Sequence, residues 1–273
     1  MKFPEYICYI MNEVFIKMEK LLPPIYGDTL LSKNHKYDSF PQIGLKKAQR
    51  NHDFFGPHIS LKRNAVLDIG CGSGSGSIFY ATKTNRVIGV DMNQKLIKDA
   101  SRSAKLAGLA DKAQFIVCDA SSLPFSRNTF DLIISNNVME HLSRPLDVLQ
   151  ECKRVAKNSG FICINFGPPW LSAFGGHIGK ELPWTHVLFS ERVVKKMLIK
   201  QGRCSLQSQD KPLYSNVNRM TVRKFKDILQ KTDLRVRLFK LWSRRYVTPL
   251  LILPFVKEFF TAQVIAVLQK DTG

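Results

Sequence analysis

The sequence predicts a doubly wound α/β fold built on a mostly parallel, seven-stranded sheet. Three observations lead there. From about residue 64, short apolar runs alternate with segments of helical period, the pattern of successive βαβ units. A glycine-rich turn, Gly70 to Gly76, follows the first of those runs directly. Three acids, Asp68, Asp91 and Asp119, stand at the carboxyl ends of three runs, the edge where an open parallel sheet binds ligands.

Each element follows from its own pattern. Ile7, Ile10, Met11, Val14, Phe15 and Met18 recur at helical spacing, which predicts an amphipathic helix stopped by Pro23-Pro24. A polar, histidine-containing stretch comes next, and Asp53 to Ile59 leads into the first strand. Residues 1–60 thus read as an N-terminal helical lid. Ala65–Ile69 is the first strand and Ser77–Thr82 a helix. Arg86–Val90 is the second strand, Gln94–Ala107 a helix and Gln114–Cys118 the third strand. Phe130–Ser135, a helix at Pro145–Ala156 and Phe161–Phe166 complete the regular part. Gly167-Pro168-Pro169-Trp170 breaks the rhythm. Helical runs return near Ser190–Lys200 and Thr221–Lys231, and Leu234–Leu241 and Gln263–Leu268 read as the last two strands. Residues 61–273 form the main domain, with a C-terminal cap made of insertions at about 167–232 and 245–261.

Composition bounds the function. The chain has 273 residues, 44% hydrophobic and 23% charged, enough to bury roughly 70–75% of its unfolded surface without staples. The six cysteines (Cys8, Cys71, Cys118, Cys152, Cys163 and Cys204) lie far apart with no C-x-x-C pair, which argues against a metal finger or a disulfide framework and for a reducing, cytoplasmic setting. No metal site is expected. Cys152 and Cys163 fall within a helix and a strand and read as core. Acids at Glu5 and Glu13 interrupt any signal-like apolar stretch, and the longest apolar run, Tyr246 to Val256, is too short to span a bilayer. The formal charge is +19, concentrated between Arg192 and Arg245, where 16 Lys and Arg face three acids. Such a field suits nucleic acid, acidic headgroups or an anionic substrate, or else only a solvated surface.

The chemistry rests on the turn and the acids behind it. In Asp68-Ile69-Gly70-Cys71-Gly72-Ser73-Gly74 the glycines let the backbone turn tightly and approach a cofactor with no Cβ in the way. Asp91 ends the next strand about 20 residues on, placed to accept hydrogen bonds from ribose hydroxyls. No G-x-G-x-x-G register exists, because its last position is Ser75, Ser77 or Phe79; this disfavours a nicotinamide dehydrogenase. The ordered set of turn, Asp91, Cys118-Asp119 and Phe130-Asp131-Leu132-Ile133 resembles the class I S-adenosylmethionine-dependent methyltransferases, nearest their small-molecule, quinone-biosynthesis-like branch. The segments Ser121-Ser122-Leu123-Pro124-Phe125 and Glu140-His141-Leu142 extend that resemblance, which covers residues 60–166. It implies a Rossmann-like methyltransferase fold with S-adenosylmethionine as cofactor. It also implies that Asp68, Gly70, Cys71, Gly72 and Gly74 line the methionine end. Asp91 would hold the ribose, Met92 would flank the adenine, and Asp119 with Ala120 would meet the adenine edge. Asn136, following the fourth strand, would lie beneath the sulfonium.

The acceptor side rests on the residues beyond the fourth strand. Ser135-Asn136-Asn137-Val138 lacks the Asn/Asp-Pro-Pro-aromatic motif of enzymes that methylate adenine or glutamine nitrogen, and no Pro-Cys nucleophile of the cytosine-C5 type is present. The expected acceptor is therefore a small molecule, methylated on oxygen or ring carbon. Histidine is the commonest base for its proton near neutral pH. His177 is the first candidate, His186 stands beside it, and His141 is the third, each equally readable as a structural histidine. Trp170, Phe174, Trp184 and Phe189 read as an aromatic wall. Arg244-Arg245 ahead of the apolar 246–260 segment reads as a docking edge for an anionic membrane or as a helix packed over the site. Two rivals stay open: an RNA methyltransferase using 192–245, and a non-catalytic interaction protein on the same fold.

Overall fold

The computed structural model describes residues 3–21, 40–59, 65–178, 183–203, 212–243 and 256–271. The chain forms two compact units. One comprises Met1–Asn34, Gly167–Val222 and Trp242–Gln263; the other comprises His35–Phe166, Arg223–Leu241 and Val264–Gly273.

The second unit is the sheet. Its strands are β1 (Ala65–Ile69), β2 (Arg86–Asp91), β3 (Ala113–Val117), β4 (Phe130–Asn136), β5 (Ala156–Phe166), β6 (Arg235–Trp242) and β7 (Gln263–Gln269). They lie in the order β3-β2-β1-β4-β5-β7-β6. The first five run parallel and β7 is antiparallel to β5, which bears out a doubly wound, mostly parallel sheet of seven strands. Most positions of the central strands are buried, so their sequences are largely apolar rather than alternating. Helices α2 (Phe40–Phe55) and α3 (Ser75–Ala81) pack on one face, where Phe55, Phe79 and Tyr80 meet Val66, Leu132, Ile134 and Cys163. Helix α4 (Gln94–Leu106) is capped by Asn93, whose side chain accepts from the Lys95 and Leu96 N–H groups. Helix α5 (Pro145–Val155) buries Val148, Leu149, Cys152 and Val155.

Four local readings need correction. The stretch read as polar loop leading to Ile59 contains α2, whose Ala48 and Phe55 are sheet-unit core. Its apolar residues are too few for a long periodic signal. Helix α3 begins at Ser75, two residues earlier than expected, because left-handed Gly74 is its N-cap. Strand β5 begins at Ala156, where α5 ends without a separate loop. Strand β3 is shifted one residue towards the N-terminus, and Cys118 is outside it.

In the first unit, helix α1 (Phe3–Leu21) packs against α7 (Glu191–Lys200). Cys8 joins Val194, Met197 and Leu198 in a small core, and Lys196 Nζ donates to Glu5 Oε1 at 2.5 Å. The same unit holds α6 (Thr185–Leu188), and Glu191 accepts from the Leu213 N–H. Helix α8 (Val222–Leu229) starts at the boundary, and its Phe225 is buried against Phe166 in the sheet unit. Most of 246–260 lies outside the described residues, as does Pro23-Pro24. Among the described residues no helix is long and apolar enough to cross a membrane.

Candidate active site

The strand order reverses at β1, with β2 and β3 on one side and β4 and β5 on the other. Such a reversal opens a crevice at the carboxyl edge of the sheet. The glycine turn lies there. Gly72 and Gly74 have φ of 54° and 85°, conformations that L side chains rarely adopt. A Cβ on Gly74 would stand 2.9 Å from Ala100 Cβ, whereas one on Gly72 would meet nothing within 4 Å. Gly74 is thus demanded by packing, and Gly72 by its backbone angle and the open approach it leaves. The turn is fastened to β2: Cys71 N–H donates to Val90 O and Gly72 N–H to Asp91 Oδ2, each at 3.0 Å.

The three acids differ in environment. Asp68, on β1, is buried and accepts a 2.7 Å hydrogen bond from Ser77 Oγ of α3. Burial outweighs that bond and pushes its carboxyl up to about 6. Asp91 ends β2 half-buried, and Asn93 N–H donates to its Oδ1 at 2.8 Å. Each oxygen keeps a second lone pair for a ligand. Asp119 is exposed, and the Ser121 N–H and hydroxyl hold its carboxyl below the usual range, with Arg144 adding to the effect. Arg144 stands 3.3 Å away as an ion pair. Met92 is 72% exposed, its side chain open to cover a ring, while Ala120 is buried. Burial, followed by the charges of Asp68 and Asp91, drives the Cys71 thiol far above its ordinary range, so it is no nucleophile.

One supporting device was not foreseen. Arg154 of α5 donates to Leu123 O at 2.9 Å and Phe125 O at 2.6 Å, while Glu151 Oε2 accepts from Leu123 N–H at 2.7 Å. The pair clamps the Ser121–Phe125 loop behind Asp119. The same side chains face each other at 2.6 Å. Sequence showed the i,i+3 spacing and nothing of the loop it grips.

Beyond β1, Asn136 is the last residue of β4 rather than the residue after it. It stands in register with Asn165 of β5. Asn136 Oδ1 and both amide atoms of Asn165 are buried without a hydrogen-bond partner among the described residues. Asn165 escaped the sequence reading because it sits inside an apolar strand.

The three histidines differ in their surroundings. His141 is exposed on a 3₁₀ turn, Met139–His141, that precedes α5. His177 takes a left-handed backbone, φ 55°, and its Nε2 lies 2.9 Å from Pro168 O. His186 is buried in α6, not in a loop, with Nε2 2.6 Å from Trp170 O and Nδ1 buried without a partner. A carbonyl only accepts, so Nε2 carries the hydrogen and Nδ1 the free lone pair. Burial lowers its pKa and the Trp170 carbonyl partly restores it. The expected aromatic wall divides: Trp170 meets His186 and Tyr214 edge-on, Trp184 meets Phe260, and Phe189 packs in the α1–α7 core. Tyr214 was missed because nothing in its sequence neighbourhood marks it.

The sheet, the reversed strand order and the glycine turn define a nucleotide-type cofactor-binding protein. Residues 67–164 match the family model described as a methyltransferase domain. The chain is 27% identical over 205 residues to an uncharacterized methyltransferase of Mycobacterium leprae, covering 75% of this chain and 71% of that one. Solved structures share the fold, two of them as follows. The [4+2]-cyclase SpnF gives a TM-score of 0.57 at 15% identity, covering 97% of both chains. Geranyl diphosphate methyltransferase in complex with SAM gives 0.56 at 14% identity, covering 89% of this chain and 95% of that one. The chain is thus similar to methyltransferases, over residues 67–164 in sequence and over most of its length in fold, and that similarity points to S-adenosylmethionine as the cofactor.

The residues present suit that cofactor. The Gly72 backbone is open to a ligand, and the orphaned Asn136 oxygen needs a donor.

Proposed function

We propose that the chain methylates a small-molecule acceptor on a hydroxyl oxygen or ring carbon, holding S-adenosylmethionine along the carboxyl edge of β1, β2 and β3. The observation that carries the cofactor half is the Gly72 to Asp91 hydrogen bond, which fixes the open turn beside a carboxylate that retains free lone pairs. Asp68, Gly70, Cys71, Gly72 and Gly74 take the methionine end, Asp91 the ribose, and Met92, Asp119 and Ala120 the adenine, with Asn136 under the sulfonium. The bound cofactor supplies an electrophilic methyl for in-line displacement, so the chain's task is alignment, water exclusion and proton removal.

For proton removal the geometry favours His186 over His177 and His141. Its tautomer is fixed by Trp170 O, and its Nδ1 is buried without a partner among the described residues, beside the rings of Trp170 and Tyr214. Support for a lipophilic acceptor comes from that aromatic lining and from a neighbour of the same fold whose name specifies geranyl diphosphate.

Calorimetric titration with S-adenosylmethionine tests the first half. Asp91→Ala should weaken binding by about 1.5–3 kcal/mol, the scale of hydrogen bonds to a charged group. Turnover is then followed with radiolabelled cofactor on phenols, catechols, hydroquinones and total tRNA. Label in a small phenolic acceptor, lost in His186→Ala and retained in His177→Ala, is the expected result. Label only in tRNA would overturn the acceptor class, and full activity in His186→Ala would remove that base.

A further inference from the structure

We infer that Asn165, beside Asn136, is the residue that hydrogen-bonds the acceptor's own polar group, and that this group is a hydroxyl. The inference rests on the cofactor placement proposed above. The polar groups assigned to adenine, ribose and methionine stand at or just past the carboxyl ends of β3, β2 and β1, three neighbouring strands. Strands lie about 4.8 Å apart, so those groups span roughly 10 Å of the sheet edge. Further along that edge, β4 presents Asn136 and β5 presents Asn165 in register with it. Asn165 is therefore one strand past the residue set under the sulfonium, on the side away from the strands assigned to ribose and adenine.

The polar row stops there. The next strand, β7, puts Ile265 opposite Asn165. On the same face of β5, Phe161 and Cys163 belong to the apolar core packed by α2 and α3. Pattern alone would fill position 165 with another apolar side chain, yet it holds an amide 0% exposed with neither its oxygen nor its nitrogen bonded. Asn136 Oδ1 lies in the same condition one strand away, and the two amides do not satisfy each other. A buried amide left unmade in both directions destabilises the fold. Such a group is retained where a ligand completes it. An amide with both functions open matches a group that both donates and accepts, which a hydroxyl does and a thioether or ring carbon does not.

The test compares wild type, Asn165→Leu and Asn165→Ala in the full chain. Removal of an unsatisfied amide predicts that the Leu variant melts about 2–4 °C higher than wild type without ligands. Its S-adenosylhomocysteine Kd should stay within twofold of wild type. Catechol at millimolar concentration, added to the S-adenosylhomocysteine complex, should raise the melting temperature of wild type and of neither variant. A lower melting temperature in both variants would make Asn165 a structural residue and sink the inference. A tenfold loss of S-adenosylhomocysteine affinity would give the amide to the cofactor instead. An equal catechol response in all three proteins, including no response, would overturn it too. Failure of wild type to bind S-adenosylhomocysteine at all is a separate result, and strikes the cofactor assignment itself.

Discussion

Asp68, proposed above as a ligand of the cofactor's methionine end, has a buried and pH-sensitive carboxyl. Its carboxyl is buried, and its pKa is about 6 against an ordinary 3.8. A folded pKa above the unfolded one means that its contribution to stability is fully present below pH 4 and is lost as pH rises through 6, to the extent of about 3 kcal/mol. The methionine ammonium has the opposite demand, because it is attracted only to the ionised form. S-adenosylmethionine should therefore bind tightest above pH 7 and lose up to tenfold per pH unit below about 6. Calorimetry between pH 5 and 8 reads this directly, and Asp68→Asn should give a weaker, flat profile. His186, the base proposed above, should act in the same direction on catalysis. Its pKa lies below 6.5, so the acid limb of kcat should fall below that value and vanish in His186→Asn. Neither environment was visible in the sequence. The Asp68 position was, because a turn of three glycines fixes which strand end is used. The choice among His141, His177 and His186 was not, because it depends on which nitrogen faces a carbonyl, and chain spacing does not encode that.

At the scale of elements, the α5–loop clamp and the Gly74 turn hold the cofactor edge in place. Arg154→Met removes the bonds to Leu123 O and Phe125 O and leaves Glu151 half-buried without its partner. The side chains of the pair are about one-fifth exposed, which moderates the cost to roughly 1–3 kcal/mol. Because the freed loop carries Ser121, whose N–H and hydroxyl orient Asp119, cofactor affinity should fall about tenfold as well. Thermal melts and calorimetry of one sample separate the two effects. Gly74→Ala forces a Cβ to 2.9 Å from Ala100 at φ 85°, and should cost about 1–3 kcal/mol and abolish cofactor binding. The central strands were legible because buried parallel strands are largely apolar runs, and the ends of all seven were located within about five residues. Helix α2 was not, because it shares its burial with a polar face and carries Gly44 near its start. The grouping of α1 with α7 was also hidden, since the contacts of Cys8 with Val194 and Met197 span nearly two hundred residues of chain.

For the molecule as a whole, the open question of physics is the charge. A net +19 is large for 273 residues, and the 192–245 stretch makes a sizeable share of it. Were that field a nucleic-acid footprint, each neutralised phosphate would release a counterion. Six to ten such contacts would cost about 10³–10⁵ in affinity between 50 and 200 mM salt. A hydroxyl-bearing small molecule has no such polyelectrolyte term. Transfer to a neutral phenolic acceptor should then show a KM that changes less than about twofold from 50 to 300 mM KCl. Excess tRNA should not compete with it at 150 mM salt, even if it binds loosely at low salt. The same fold serves the [4+2]-cyclase SpnF as well as methyltransferases, so fold leaves the acceptor undecided and the salt profile bears on it directly. A KM that climbs by orders of magnitude with salt, together with competition by tRNA at 150 mM, would assign the basic stretch to RNA and move the acceptor class with it. A flat profile would leave the charge to solubility and the chemistry to the crevice at β1.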